Sequence, residues 1–319
     1  MSRYAGFREF YEKELRADLE DIDLRRKEIN RKVITILMIT AAAILTEILL
    51  IPDDTGFPKP LPLILTFIAG MIVTGIFSKS FRKEYKEKII SRLAGFADEG
   101  LIYTPDGAVP QYEFVKSRIF PYSCDKYSGE DHFSGKLDKT EIVFSEVTAK
   151  HRNSSGSGSS QKDEYNTFFK GLFIIADFNK HFKGRTFVEP DYTERFFGGL
   201  AATFQRMSPK GQLVKLENIE FEKLFVVYGS DQIEPRYILS PAMMESIVGL
   251  AKAFKHPIRL SFVGNRVFFT IDFRHALFEP RVFKSCVNQE EARKMFRLFK
   301  VNELIISELN LNTRIWTKD

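Results

Sequence analysis

The sequence predicts an α+β protein: a two-helix transmembrane hairpin, extended by a cytoplasmic helical stalk and followed by a soluble domain of antiparallel β-sheet and packed helices. Three observations lead there. Two apolar runs of near-bilayer length lie in the first quarter of the chain. Apolar stripes at helical spacing border them. Strand and hairpin signals then recur through residues 103–319.

The first span covers residues 33–51 and holds one ionisable side chain, Glu47. At about 1.5 Å per residue it nearly crosses a hydrocarbon core of about 30 Å. The second covers residues 61–77, with Pro62 in its first turn, where a helix tolerates proline. Pro52 to Pro60 reads as the turn between them. A cleavable signal peptide does not fit, because the first run starts after 32 polar-rich residues and a second run follows. Residues 1–32 carry nine Lys/Arg and residues 78–97 carry six, whereas the connecting loop has only Lys59. Basic flanks stay in the cytoplasm, so both termini are expected there. Glu47 lies about one turn from the outer end of its helix, within reach of the headgroup layer. The second span offers it no ionisable partner for a proton relay.

Residues 1–32 form an amphipathic helix by pattern. Leu15, Leu19, Ile22, Arg26, Ile29 and Val33 are spaced alternately by four and three, as in a two-helix seam. In residues 78–102 a second stripe continues from Phe77 through Phe81, Tyr85, Ile89, Leu93 and Phe96. The two stripes are expected to pack as an antiparallel stalk, or across a dimer. Basic residues beside them would lie near anionic headgroups.

Residues 103–319 are the soluble part. Thr140–Lys150 and Phe168–Phe178 read as strands. Between them, residues 151–166 are rich in Ser and Gly and are expected to form a flexible loop. Tyr192–Met207 reads as a helix and Leu224–Tyr228 as a short strand. Ser240 caps a helix that has Pro241 in its first turn and runs to Phe254. Ile258–Val263 and Arg266–Phe273 form a hairpin through Gly264-Asn265. Gln289–Leu309 is a last helix. Hairpins with helices against them, and no regular βαβ alternation, give the α+β class.

Composition sets limits on chemistry. With 44% hydrophobic and 28% charged residues the chain can build a core, which excludes wholesale disorder. The mean hydropathy of −0.18 conceals the two spans. The net charge of +5 is spread thinly and gives no support to nucleic-acid binding. Cys124 and Cys286 are far apart and read as free thiols. Five scattered histidines show no metal-ligand spacing, and no cofactor motif is present. Gly156-Ser157-Gly158 lacks the Lys-Ser/Thr of a phosphate loop. The 31 phenylalanines are ascribed to core and stalk packing.

Three polar clusters remain. Glu130-Asp131-His132 has the residue types of an acid–base or metal group, although a polar turn explains it more simply. Lys180, His181, Lys183 and Arg185 form a basic turn suited to phosphate, lipid headgroups or an acidic partner. Asp231, Glu234 and Arg236 form an ion-pair network or line a binding groove.

Several stretches are familiar: FRKEYKEKII, GLFIIADFNKHFKG, FEKLFVVYGSDQIEPRYIL and the final NLNTRIW. On these the chain closely resembles the bacterial membrane-protein family catalogued as domain of unknown function 3137. Pro235 departs from the small residue expected after Glu234. The resemblance implies a two-span inner-membrane protein with a cytoplasmic α+β domain and no established catalytic residues. It also implies, by genetic neighbourhood, a LemA-like membrane partner. The resulting expectation is a membrane-anchored interaction or scaffold module. The alternative is a membrane-face hydrolase using Glu130, Asp131 and His132 with Asp231, Glu234 and Arg236.

Overall fold

The computed structural model describes residues 3–50, 60–137, 140–155, 162–177, 181–191, 209–280 and 283–300. Residues 52–59 of the expected turn, the helix at 192–207 and the end of the last helix lie outside these residues, and Pro60 already belongs to a helix. Two compact units result: residues 1–93 with 278–294, and residues 94–277 with 295–319. Sequence order alone would have placed 278–294 with the sheet.

In the first unit, helix α1 runs through Arg3–Phe10, a π-helical turn Tyr11–Leu15, and Arg16–Leu50. Helix α2 runs through Pro60–Tyr85, a π-helical turn Lys86–Ile90, and Ser91–Ala97. Both predicted stripes face inward: Leu15, Leu19, Ile22, Arg26, Ile29 and Val33 are buried, as are Phe81, Tyr85, Ile89 and Leu93. Their partners fix an antiparallel register within one chain. Arg92 pairs with Asp18 at 2.7 Å, and Lys88 with Asp21 at 2.6 Å. The Lys32 ammonium lies 5.8 Å from the Phe77 ring centre. A Cβ on Gly70 would sit 2.5 Å from Thr40 Oγ1, so the helices need glycine at that crossing. Farther on, the Thr66 hydroxyl donates to Glu47 Oε1 at 2.6 Å. Glu47 therefore has a hydroxyl partner in the other helix, which a search for ionisable residues misses.

Segment 278–294 is tied to the same unit. Arg82 pairs with Glu279 at 3.1 Å, and the Arg293 guanidinium stands 6.0 Å from the Phe7 ring centre. The Cys286 backbone N–H donates to Asp23 at 2.9 Å, beside the buried Asp23–Arg26 pair.

The second unit is an antiparallel sheet of nine described strands in the order β1-β2-β3-β4-β9-β8-β5-β7-β6. The strands are β1 Ile102–Thr104, β2 Lys126–Leu137, β3 Thr140–Ser155, β4 Lys162–Asp177 and β5 Arg185–Pro190. They continue with β6 Gln212–Val214, β7 Phe225–Gly229, β8 Ile258–Val263 and β9 Arg266–Asp272. The predicted β8–β9 hairpin is present, with Gly264 at φ +66° in its turn. Strands β3 and β4 extend through 151–155 and 162–166, where a loop was expected, and stay paired from Lys150↔Thr167 to Ser155↔Lys162. Strand β9 covers β4 only over Gly171–Asp177, so among the described residues the outer edge of β4 has no neighbouring strand over 162–169.

Short helices cover the sheet: α3 Gln111–Lys116, α4 Ile219–Glu222, α5 Glu234–Ile238 and α6 Pro241–Phe254, followed by α7 at 289–300. The Ser240 side chain accepts from Met243 N–H and caps α6 as predicted. On one face Phe114 of α3 packs with Phe169, Phe173 and Phe268. On the other, Phe299 meets Phe133 edge-on at 5.1 Å between ring centres.

Candidate functional site

Glu130, Asp131 and His132 lie inside strand β2, not in a turn. Glu130 pairs with Glu146 and Phe133 with Phe144, so Asp131 and His132 together oppose one residue in a β-bulge. Asp131 takes φ +57°, and its N–H donates to Pro105 O at 2.9 Å. The Tyr103 hydroxyl donates to the Asp131 carboxylate. Burial, followed by the charge of Asp131, pushes the Tyr103 hydroxyl far above its usual range. On β3, burial pushes the Glu146 carboxyl up to about 7, and the charges of Asp131 and Glu130 add to this. The Leu277 N–H, 2.8 Å from Glu146 Oε2, works in the opposite direction. Burial lowers the His132 imidazole. Among the described residues Asp131 is fully enclosed and Glu146 nearly so.

The other two clusters come together. Lys180 lies outside the described residues, while His181 and Lys183 are exposed. The Glu234 carboxylate accepts from the backbone N–H of Lys183 at 2.9 Å and of Gly184 at 2.8 Å. Ser230 Oγ accepts from Arg185 N–H at 2.9 Å. The Asp231 carboxylate accepts from the N–H groups of Ile233 and Glu234, both at 2.8 Å. Those N–H bonds, Glu234 first, hold the Asp231 carboxyl below its usual range. Arg236 donates to Gln232 O. Glu234 thus clamps the backbone of the 181–185 turn and Asp231 starts α5, with their oxygens turned to backbone. Pro235 occupies the first turn of α5, where its missing N–H costs nothing.

The composite hydrolase site is not assembled. Strands β2 and β7 stand six strand positions apart in the sheet. At about 4.8 Å per position that is roughly 29 Å.

A groove of about 440 Å³ lies elsewhere, walled by Phe120, Tyr122, His151 and Phe168, with Glu189 and Arg259 also lining it. A second bulge, at Ala149/Lys150, interrupts the β3–β4 register beside Phe168. Phe168 and Phe169 consequently both turn toward Phe120, at 5.4 and 5.1 Å between ring centres. Tyr122 stacks on His151 at 5.2 Å, with 10° between the planes. The Arg259 guanidinium rests 5.1 Å from the Phe120 ring centre. Behind Glu189, Lys210 pairs with its carboxylate and donates to Ile119 O, while burial lowers the Lys210 ammonium. The groove is also lined by Asn166 and Thr167 of β4.

Residues 167–311 match the family model described as protein of unknown function (DUF3137). The resemblance read from the sequence holds over this stretch. The DUF3137 stretch begins in β4, and β1 to β3 and both long helices precede it. No curated protein matches the chain. Among solved structures, the mycobacterial trehalose monomycolate transport factor A, TtfA, is similar at 8% identity, with a TM-score of 0.34. That likeness covers 68% of this chain and 94% of the other.

The DUF3137 stretch supplies Phe168, Glu189 and Arg259 to the groove, while Phe120, Tyr122 and His151 come from before it. Sequence reasoning missed the groove because its walls are widely separated in the chain. The adjacent Phe168-Phe169 pair was the available signal, since two neighbouring strand residues share a face only at a bulge.

Proposed function

We propose that the chain is a membrane-anchored interaction module. Its hairpin would cross the inner membrane of a bacterium at 33–51 and 61–77, with both termini and the sheet unit in the cytoplasm. One observation carries this reading. Ile34, Leu37, Met38, Ile39, Leu45, Ile48 and Leu49 on α1 are exposed, as are Ile64, Leu65, Phe67, Ile68, Met71, Ile72 and Ile76 on α2. The most apolar windows of both helices are only 6% buried. A soluble core helix of that length would be mostly enclosed. An apolar belt of this extent is stable in lipid and costly in water. The basic flanks supply the direction.

The docking surfaces would be the basic turn at His181, Lys183 and Arg185, of which His181 and Lys183 are exposed, and the aromatic groove at Tyr122. A LemA-like membrane protein remains the partner suggested by family analogy. The membrane-face hydrolase is disfavoured by the strand positions separating its two clusters. To test the anchor and its direction, single cysteines would be placed at Thr55 and Ser230 and probed in intact cells with a membrane-impermeant maleimide. Thr55→Cys should label and Ser230→Cys should not, and the chain should resist alkaline carbonate extraction. Release by carbonate, or labelling at 230 from outside, would overturn the proposal.

A further inference from the structure

The stalk neutralises its own charges almost everywhere. Lys13 pairs with Glu9, Arg16 with Glu12 and Glu20, and Arg25 with Glu28. Arg26 and Lys27 share Asp23, and Lys32 pairs with Glu28. On α2, Arg82 pairs with Glu279, Lys83 with Glu87, Lys88 with Asp18 and Asp21, and Arg92 with Asp18. Lys86 is buried. Three exposed cations along this stretch have no acidic partner among the described residues, Arg8, Arg31 and Lys79, and of these only Arg31 and Lys79 border the apolar belt.

Their positions are matched. Arg31 lies three residues before Ile34, where the exposed apolar belt begins on α1. Lys79 lies three residues after Ile76, where the belt ends on α2. At about 1.5 Å per residue each stands roughly 4.5 Å beyond the belt, at the depth of lipid phosphates. The Lys32–Phe77 contact holds the two helices level there. Each is two residues, about 200° of helix, from an inward-facing side chain: Val33 for Arg31 and Phe81 for Lys79. They therefore point away from the partner helix, on opposite flanks of the hairpin.

We infer that Arg31 and Lys79 form two separate contact sites for anionic phospholipid headgroups, one on each flank and both in the same leaflet. A bilayer phosphate is the counter-charge available at that depth, and the guanidinium suits it in particular. The intervening ion pairs would confine this attraction to the membrane boundary.

The inference rests on the membrane reading, and its test separates the two. The full chain would be reconstituted in phosphatidylcholine nanodiscs with a minor fraction of spin-labelled phosphatidylglycerol or spin-labelled phosphatidylcholine. The motionally restricted lipid would then be compared. Wild type should favour phosphatidylglycerol, on the order of fivefold per site at low salt. Arg31→Gln with Lys79→Gln should abolish the preference. Arg31→Lys with Lys79→Arg should retain it, as should the control Lys13→Gln with Arg16→Gln. Equal restriction of both lipids by wild type, or an unchanged preference in the double Gln variant, would overturn the inference alone. No restricted lipid of either kind would overturn the membrane reading itself.

Discussion

At the residue scale, Glu146 links sequence to stability through its proton. An ordinary glutamate titrates at 4.5, whereas burial first and neighbouring carboxylates second bring Glu146 to about 7. The folded state thus holds this proton more tightly than the unfolded chain does. Its contribution is complete below about 4.5 and is lost as pH rises through about 7. A shift of that size corresponds to roughly 3 kcal/mol. Glu146→Gln keeps an oxygen for the Leu277 N–H and removes the titration. Thermal unfolding in detergent should show wild type losing stability between pH 5 and pH 8, with the variant losing less and being the more stable at pH 8. Identical pH profiles would exclude this role. The sequence showed Glu130, Asp131 and His132 as a group but could not show Glu146, which joins them only through strand pairing.

At the scale of elements, the two π-helical turns explain a spacing that an ideal helix cannot sustain. Phe81, Tyr85, Ile89 and Leu93 are four apart and all buried. A step of four overshoots a 3.6-residue turn by about 40°, so three steps drift by about 120°. The π turn at Lys86–Ile90 takes up one extra residue, worth about 100°, and returns the stripe to its face. Phe7, Tyr11, Leu15 and Leu19 repeat the pattern across the π turn at Tyr11–Leu15. Deleting Lys88 should convert the second turn to α-helix and leave Ile89 and Leu93 on the seam, because the stripe would then be spaced four, three and four. Deleting Glu28 from the regular helix instead should rotate one side of its seam by about 100°. We expect the Lys88 deletion to melt close to wild type by circular dichroism and the Glu28 deletion to melt lower. Equal melting of the two deletion variants would refute this account. The stripes themselves were legible from spacing, and an unbroken run of fours was the unused sign of the π turns. Strand β2 was illegible because Gly129, Glu130, Asp131 and Gly135 all disfavour strands, and its pairing with β3 overrides them.

At the scale of the molecule, what could be read was what is local. Span lengths, flank charges, the Ser240 cap and the Gly264-Asn265 turn each sit within a short window. The insertion of β9 between β4 and β8 does not, because the β8–β9 hairpin could dock on either side without changing its own pattern. The phenylalanine excess was legible in kind: Phe133, Phe144, Phe173, Phe187, Phe262, Phe268 and Phe269 are all fully buried. Large rigid side chains enclose much apolar area for each residue ordered.

The return of residues 278–294 to the helical unit bears on how the chain can be divided. A fragment starting at residue 103, the natural cut by sequence, would keep this segment and discard the Arg82, Asp23 and Phe7 partners of Glu279, the Cys286 N–H and Arg293. Lys284 and Arg293 should then be cleaved by trypsin faster in the fragment than in the full chain, as mass spectrometry of the early products would show. Equal rates would mean that the segment holds its shape unaided. In the intact chain its attachment makes the polypeptide cross between the two units three times, at 93–94, 277–278 and 294–295. Proteolysis of any single crossing would leave the units tethered by the other two.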